Sequence, residues 1–240
     1  MIPKIIHYCW FGMSEMPELV HKCLASWYTH MPDWEYRLWT EDNFDITSAP
    51  AYVQEAYAAK KYAFVSDYVR LWALEREGGL YMDVDFEVYK PFDDLMDQYD
   101  AFAGYEGSKK NPVMMGVLAV KPHHSWIQGM VHTYEERHFL LPNGSLDMTP
   151  NTTYFYDWMI THGFVADGVE KEWNGVHILP VECFCPGLTT GENLRCERTY
   201  CEHKSLHSWS NDGGWKTIIL NLLPIKLKIF IIKLKRRILS

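Results

Sequence analysis

Strand-like and helix-like segments alternate over most of this chain, which predicts an α/β fold with a mixed, mainly parallel sheet and helices on both faces. Three observations carry that expectation. Short apolar, β-prone runs recur along the sequence, and amphipathic stretches of helical length lie between them. The chain also has 240 residues, 48% of them hydrophobic, enough for one such domain with a sizeable core but short for two.

The first strand is expected at Lys4-Ile5-Ile6-His7-Tyr8-Cys9-Trp10, an apolar run that ends at Gly12. From Met16 to Met31 the pattern turns helical, with Leu19, Val20, Cys23, Leu24 and Trp27 in a stripe at three- and four-residue steps. Glu35 to Trp39 alternates like a second strand. One long helix is expected from Ala51 to Glu77, stopped by Gly78-Gly79. From Leu80 to Tyr89 apolar and polar residues alternate strictly, predicting one strand. Further strands are expected at 101–105, 116–120 and 176–179, and helices at 124–137 and 152–161. In such sheets ligands sit beyond the carboxyl ends of the strands, so polar residues at strand exits carry the interest.

Charge divides the chain. From Trp215 to Ser240 there are seven basic residues and no acidic one, leaving 16 Lys and Arg against 31 Asp and Glu before it. We therefore expect a catalytic domain over 1–214 and a basic amphipathic tail over 215–240. The acidic body excludes nucleic acid as a partner, because that binding rests on neutralising phosphates. Six cysteines (Cys9, Cys23, Cys183, Cys185, Cys196, Cys201) lack the paired spacing of a structural zinc site. No signal peptide precedes the first strand, so reduced thiols and a cytoplasmic setting are expected.

Two features carry chemistry. On an extended strand Asp83 and Asp85 project from one face, about 7 Å apart at the backbone. A divalent cation would neutralise the field they create, and oxygen ligands favour Mn²⁺ or Mg²⁺. The competing view is a merely solvated polar face, which Tyr81, Glu87 and Tyr89 permit. On the preceding helix, Ser66, Asp67 and Arg70 are three and four residues apart and share one side. They suit a ribose hydroxyl and a phosphate, or else an intrahelical ion pair.

Several short motifs now fall in order: Ile2-Pro3-Lys4-Ile5-Ile6-His7 with Trp10 and Gly12; Ser66-Asp67 with Arg70; Gly78-Gly79-Leu80-Tyr81-Met82-Asp83-Val84-Asp85; Leu179-Pro180 with Phe184 and Pro186; and Ser208-Trp209. Together they resemble glycosyltransferase family 32, the enzymes with a DXD-containing sugar-binding region, among them bacterial capsular-polysaccharide transferases and yeast-type mannosyltransferases. The resemblance implies a GT-A fold, a Rossmann-like nucleotide-binding domain, and hexosyl transfer from a nucleotide-sugar donor, a UDP-sugar first, to a saccharide or lipid-linked saccharide, with retention. It implies that Trp10 stacks on the base and that Asp67 and Arg70 contact the donor. It further implies that Asp83 touches the sugar or ribose, that Asp85 ligates the metal most directly, and that Ser208 and Trp209 close over the phosphates. Many relatives carry a His-His pair where this chain has His203-Lys204, which makes His203 a candidate third metal ligand. No nucleophile or base is identified. The rival functions are an aspartyl phosphatase with Asp83 as nucleophile and a non-catalytic, membrane-bound glycan-binding subunit.

The longest charge-free run in the tail, 217–225, is far below the roughly 20 residues a spanning helix needs, and Pro224 interrupts it. From Ile225 onward, Leu227, Ile231, Leu234 and Ile238 share one side of a helical wheel, with Lys226, Lys233 and Arg237 on another. The tail is therefore expected to lie on the inner face of the plasma membrane, each basic residue adding about 1 kcal/mol at an anionic leaflet. The full chain should sediment with anionic but not neutral vesicles, and a chain ending at Gly214 should stay in solution; equal sedimentation of the two chains would contradict this.

Overall fold

The computed structural model describes residues 1–107, 112–187 and 194–204. Its elements follow from the sequence pattern. The first apolar run forms β1 (Ile5–Cys9), and the stripe after it forms α1 (Glu18–His30), which buries Val20, Cys23, Leu24 and Trp27. Next come β2 (Glu35–Trp39), α2 (Ala51–Ala58), α3 (Tyr62–Glu77), β3 (Gly79–Met82), β4 (Phe86–Val88), α4 (Asp93–Gln98), β5 (Ala101–Tyr105) and β6 (Val113–Val120). The remaining elements are α5 (Ser125–His132), α6 (Asn151–Thr161), β7 (Lys171–Trp173), β8 (Val176–Leu179) and β9 (Cys201–His203).

Seven strands form one sheet in the order β2-β1-β3-β6-β5-β8-β7. Five of them (β1, β2, β3, β5, β8) run one way, while β6 and β7 run against them. The expected mixed, mainly parallel sheet is present. Alternate residues such as Tyr81, Ala103 and Ile178 enter an apolar cluster that includes Val65, Val69, Ile127 and Phe155 from α3, α5 and α6. The opposite face is covered as well: Tyr8 packs its ring edge-on against Trp27 of α1, and Phe102 stacks with Phe92 just before α4. A sheet covered on both sides explains why its strands read as continuous apolar runs.

The structure corrects three expected elements. The helix from Ala51 to Glu77 is two helices. Lys60 adopts the left-handed conformation (φ 57°), and the Lys61 N–H reaches back to the Ala56 carbonyl at 2.9 Å. A helix-ending turn of this kind usually carries glycine; here a lysine takes it, so no breaker marks the site. The expected strand from Leu80 to Tyr89 is also two, β3 and β4, separated by a turn at Asp83–Asp85 in which the Phe86 N–H donates to the Asp83 carbonyl at 3.2 Å. The two aspartates thus sit on a turn and not on one strand face. Finally, the helix expected at 124–137 is α5, which ends at His132 instead of Arg137. The compact unit runs from Met1 to Lys204; the expected boundary at 214, the tail, Ser208 and Trp209 lie outside the described residues. Among the described residues no helix is long and apolar enough to cross a membrane.

The α3–β3 junction requires glycine. Gly78 (φ 63°) and Gly79 (φ 106°) both have left-handed backbone, and a β-carbon on Gly79 would stand 2.7 Å from the Ile5 carbonyl oxygen. His7, fully buried in β1, locks this turn. Its Nδ1 accepts from the Trp39 indole N–H at 3.2 Å, so Nε2 carries the proton and donates it to the Gly78 carbonyl at 2.9 Å. Burial lowers the His7 pKa to about 4, outweighing the bond to Gly78.

His7 therefore remains neutral in the fold but takes up a proton in the unfolded chain below its ordinary pKa of about 6.5. The unfolded state binds more protons between those two values, so stability falls as pH drops from 6.5 to 4. Relative to His7→Gln, the wild-type chain should lose about 3 kcal/mol of unfolding free energy over that window, measured by urea denaturation. A difference independent of pH would show that His7 is not buried neutral.

Candidate functional site

Arg70 sits on the side of α3 that faces the sheet and is 5% exposed. Its Nη2 donates to Asp67 Oδ1 at 2.8 Å, one turn earlier, and lies 3.3 Å from Asp83 Oδ1. Its Nη1 donates to the Met115 carbonyl, and its plane lies over the Tyr81 ring at 4.7 Å. The Tyr81 hydroxyl donates to the same Asp83 oxygen at 2.7 Å. Burial works against the Arg70 charge, but Asp83, Tyr81 and Asp67 outweigh it and hold the guanidinium protonated. For Asp67 and Asp83, burial lifts the pKa above the usual carboxylate range, with Arg70 pulling the other way. The ion pair that competed with donor contact for Asp67 and Arg70 is thus present, but turned inward to join α3 to the Asp83 turn and not on a solvated face.

The Met115 carbonyl that receives Arg70 lies at an irregularity in the pairing of β6 with β5. Between the pairs Ala103↔Leu118 and Tyr105↔Val113, β5 advances two residues and β6 five. The extra residues form a bulge at Met115 and Gly116. There the Met115 carbonyl meets Arg70, while the Gly116 carbonyl accepts the Asp83 N–H at 2.8 Å as the next rung of the β3–β6 register. Gly116 also leaves room for the carboxylate: a β-carbon would stand 2.8 Å from Asp83 Oδ2.

Asp85, 7% exposed, is held by a small second sheet. β4 pairs antiparallel with β9, setting Phe86 opposite His203, and the Lys204 N–H donates to the Asp85 carbonyl at 2.8 Å. The His203 ring stacks on Phe86 at 4.6 Å and brings Nε2 within 3.1 Å of Asp85 Oδ2. Burial opposes protonation of His203, but the bond to Asp85 and the charges of Asp85, Asp83 and Glu106 raise its pKa.

Among the described residues no three His, Cys, Asp or Glu side chains form a ready-made metal cage. The donor chemistry nonetheless suits a hard divalent cation. Such ions bind at about 2.1 Å in octahedral shells, retain water, and use one or two carboxylates plus substrate phosphates. Neighbouring ligands in that shell stand about 3 Å apart, close to the observed Asp85–His203 separation. Of the expected ligands, Asp85 and His203 are brought together, whereas Asp83 is engaged by Arg70 and Tyr81.

Trp10 follows β1 at its carboxyl end. Its backbone N–H continues the ladder to the Trp39 carbonyl at 2.9 Å, and its indole N–H donates to the Ser14 carbonyl at 2.7 Å. The adjacent Gly12 (φ 96°) packs where any β-carbon would strike the Tyr62 ring at 2.4 Å. Cys9, the preceding residue, is buried against Arg70, Asp83, Tyr81 and Ser66, and burial pushes its thiol up to about 12. Trp10 itself is partly exposed and follows β1 at the sheet end where the Asp83 turn follows the parallel strand β3.

Two residues join the site that the sequence did not single out. Glu106 directly follows β5; its carboxyl bonds Thr152 and feels His203 and Asp83, and burial raises its pKa. The signal was its place at a strand exit. Asn151, whose Asn-Thr-Thr context reads as a glycosylation sequon, begins α6 and is 6% exposed. Its Nδ2 donates to the Asp67 carbonyl at 3.4 Å, and its Oδ1 has no partner among the described residues. No local pattern announces that contact.

With this geometry in place, similarity to known proteins is informative. Residues 17–102 match the family model described as a glycosyltransferase sugar-binding region containing a DXD motif. Inositol phosphoceramide mannosyltransferase 3 of Schizosaccharomyces pombe is 34% identical over 99 residues, covering 40% of this chain and 27% of that protein. Glucan organizing enzyme 1 of Cryptococcus neoformans is 28% identical over 132 residues, covering 45% and 35%. The matches thus span about a third of these relatives' lengths. Among solved structures, the PaToxG glycosyltransferase superposes with a TM-score of 0.47 at 17% identity, over 68% of this chain and 71% of that one.

Proposed function

We propose that this chain, whose residues 17–102 match the model of a glycosyltransferase sugar-binding region with a DXD motif, transfers a glycosyl group from a nucleotide sugar to a saccharide or lipid-linked saccharide hydroxyl. The observation that carries the proposal is the convergence of Asp67, Arg70, Asp83, Asp85 and His203 at the carboxyl ends of the central strands, where ligands of such sheets bind. Asp85 and His203 would hold Mn²⁺ or Mg²⁺, which when bound offsets charge on a donor diphosphate. Arg70 acts through its neighbours: by clamping Asp67 and Asp83 it sets both carboxylates to accept hydrogen bonds from donor hydroxyls. Trp10 supplies a face for the base.

Departure of the diphosphate leaves negative charge on its oxygen, and preorganised positive groups lower that barrier. Tyr81 and Arg70 engage Asp83 through one oxygen, Oδ1, and no carboxylate is assigned as a nucleophile. In this proposal the departing phosphate oxygen takes the acceptor proton on the same face, with retention. An aspartyl phosphatase using Asp83 as nucleophile would leave the Asp67–Arg70 pair and Trp10 without a role. The contrast between an acidic body and a basic tail supports action at an anionic membrane surface, where a lipid-linked acceptor would lie.

A panel of UDP-sugars together with GDP-mannose, which the mannosyltransferase relatives make worth including, should identify a donor through nucleoside diphosphate release in Mn²⁺ and through thermal shift. Asp85→Ala should lower that release by about three orders of magnitude, corresponding to about 4 kcal/mol of barrier, with the fold intact by circular dichroism. Trp10→Ala should mainly raise the donor KM, by about tenfold, since stacking on a base contributes about 1 to 3 kcal/mol and is made equally before and during reaction. Wild-type turnover by Asp85→Ala in Mn²⁺ would overturn the metal assignment.

A further inference from the structure

Away from the carboxylates, a second cleft of about 200 Å³ is lined by Ser125, Trp126, Trp158, His162, Trp173 and Asn174. Its position follows from the strand directions. β6 runs away from the Asp83 turn and ends at Val120, which pairs with Gly79 and Ala101 at the starts of β3 and β5. α5 begins just beyond, and Trp173 pairs with Val176 at the start of β8. The cleft therefore lies at the amino ends of the parallel strands, whereas Asp83 and Glu106 follow their carboxyl ends.

Local structure sets the aromatic walls. Asn174 (φ 50°) and Gly175 (φ 80°) form a two-residue turn with both residues left-handed, the type that joins tight hairpins, and it presents Trp173 and Asn174. Trp158 lies against α5 at Gly129, where a β-carbon would come within 3.0 Å of the indole. Its plane stands at 89° to Trp173, with centroids 6.5 Å apart, and the His162 ring lies 4.2 Å from it. His162 Nδ1 donates to the Trp158 carbonyl at 2.7 Å, which leaves Nε2 as an acceptor.

Among the described residues the lining combines three indoles with a hydroxyl, an amide and an imidazole, and contains no Asp, Glu, Lys or Arg. Nothing there balances a phosphate or carboxylate, so an anionic ligand would be desolvated without compensation. A sugar ring has the matching chemistry: an apolar C–H face bordered by neutral hydroxyls that both donate and accept. The volume falls below the about 300–1,000 Å³ of pockets that enclose a whole ligand, which fits one ring of a longer chain. We propose that this cleft binds a neutral glycan by one sugar ring, apart from the carboxylate site.

Electrophoresis of the full chain through gels containing a mannan, laminarin or dextran tests this. At least one polysaccharide should retard the wild-type protein. Trp173→Ala should weaken that retardation at least tenfold in apparent Kd, and Asp85→Ala should leave it unchanged. His162→Ala, at an exposed helix end, should weaken it as well and guards against misfolding of the tryptophan variant. Absence of retardation by all three polysaccharides, wild-type retardation of both cleft variants, or its loss in Asp85→Ala alone would overturn the proposal.

Discussion

Burial of the Arg70 guanidinium is the constraint on which the rest of the site depends. A charge so removed from water is tolerated only when its donors are met by acceptors and its charge by carboxylates. Asp67, Asp83 and the Met115 carbonyl meet those demands from α3, the β3–β4 turn and the β6 bulge. Two of these elements are irregular where they do so: the strand breaks at Asp83, and β6 carries extra residues beside Gly116. The carboxylates are thereby placed before any ligand arrives, and this preorganisation makes a binding site effective.

A second layer of control comes from far along the sequence. Asp85 is shaped by His203 of β9 and by Lys204 just after it, well over a hundred residues away, and Asp67 is touched by Asn151 at the head of α6. Beneath them, His7 and the Gly78-Gly79 turn fix how α3 hands over to β3. The two candidate metal-binding groups therefore differ from Asp83 in their attachment. Asp85 and His203 ride on the small second sheet, whereas Asp83 is clamped to the main one.

Much of this was legible in the sequence, for identifiable reasons. Strands buried on both faces read as apolar runs, and the α3 side bearing Ser66, Asp67 and Arg70 follows from helical spacing. Periodicity misled at Leu80–Tyr89, because two short strands joined by a three-residue turn keep the same alternation as one continuous strand. It misled at Ala51–Glu77 because Lys60 adopts a conformation usually marked by glycine. The three-residue strand carrying His203 was too short to show any pattern, and its place beside Asp85 was indicated only through family resemblance. Glu106 stood at a strand exit and was open to notice; Asn151 was not, since its contact is purely tertiary.

Unfolding free energies of Arg70 variants test the clamp most directly. Removing one partner of a buried ion pair strands the other charge and costs about 3 to 5 kcal/mol, whereas an exposed pair contributes about 0 to 1 kcal/mol. Arg70→Met should lose stability in the first range, and adding Asp67→Asn with Asp83→Asn should restore most of that loss by removing the stranded carboxylates. A loss below about 1 kcal/mol, or no recovery in the combined variant, would contradict the claim that Arg70 organises the site.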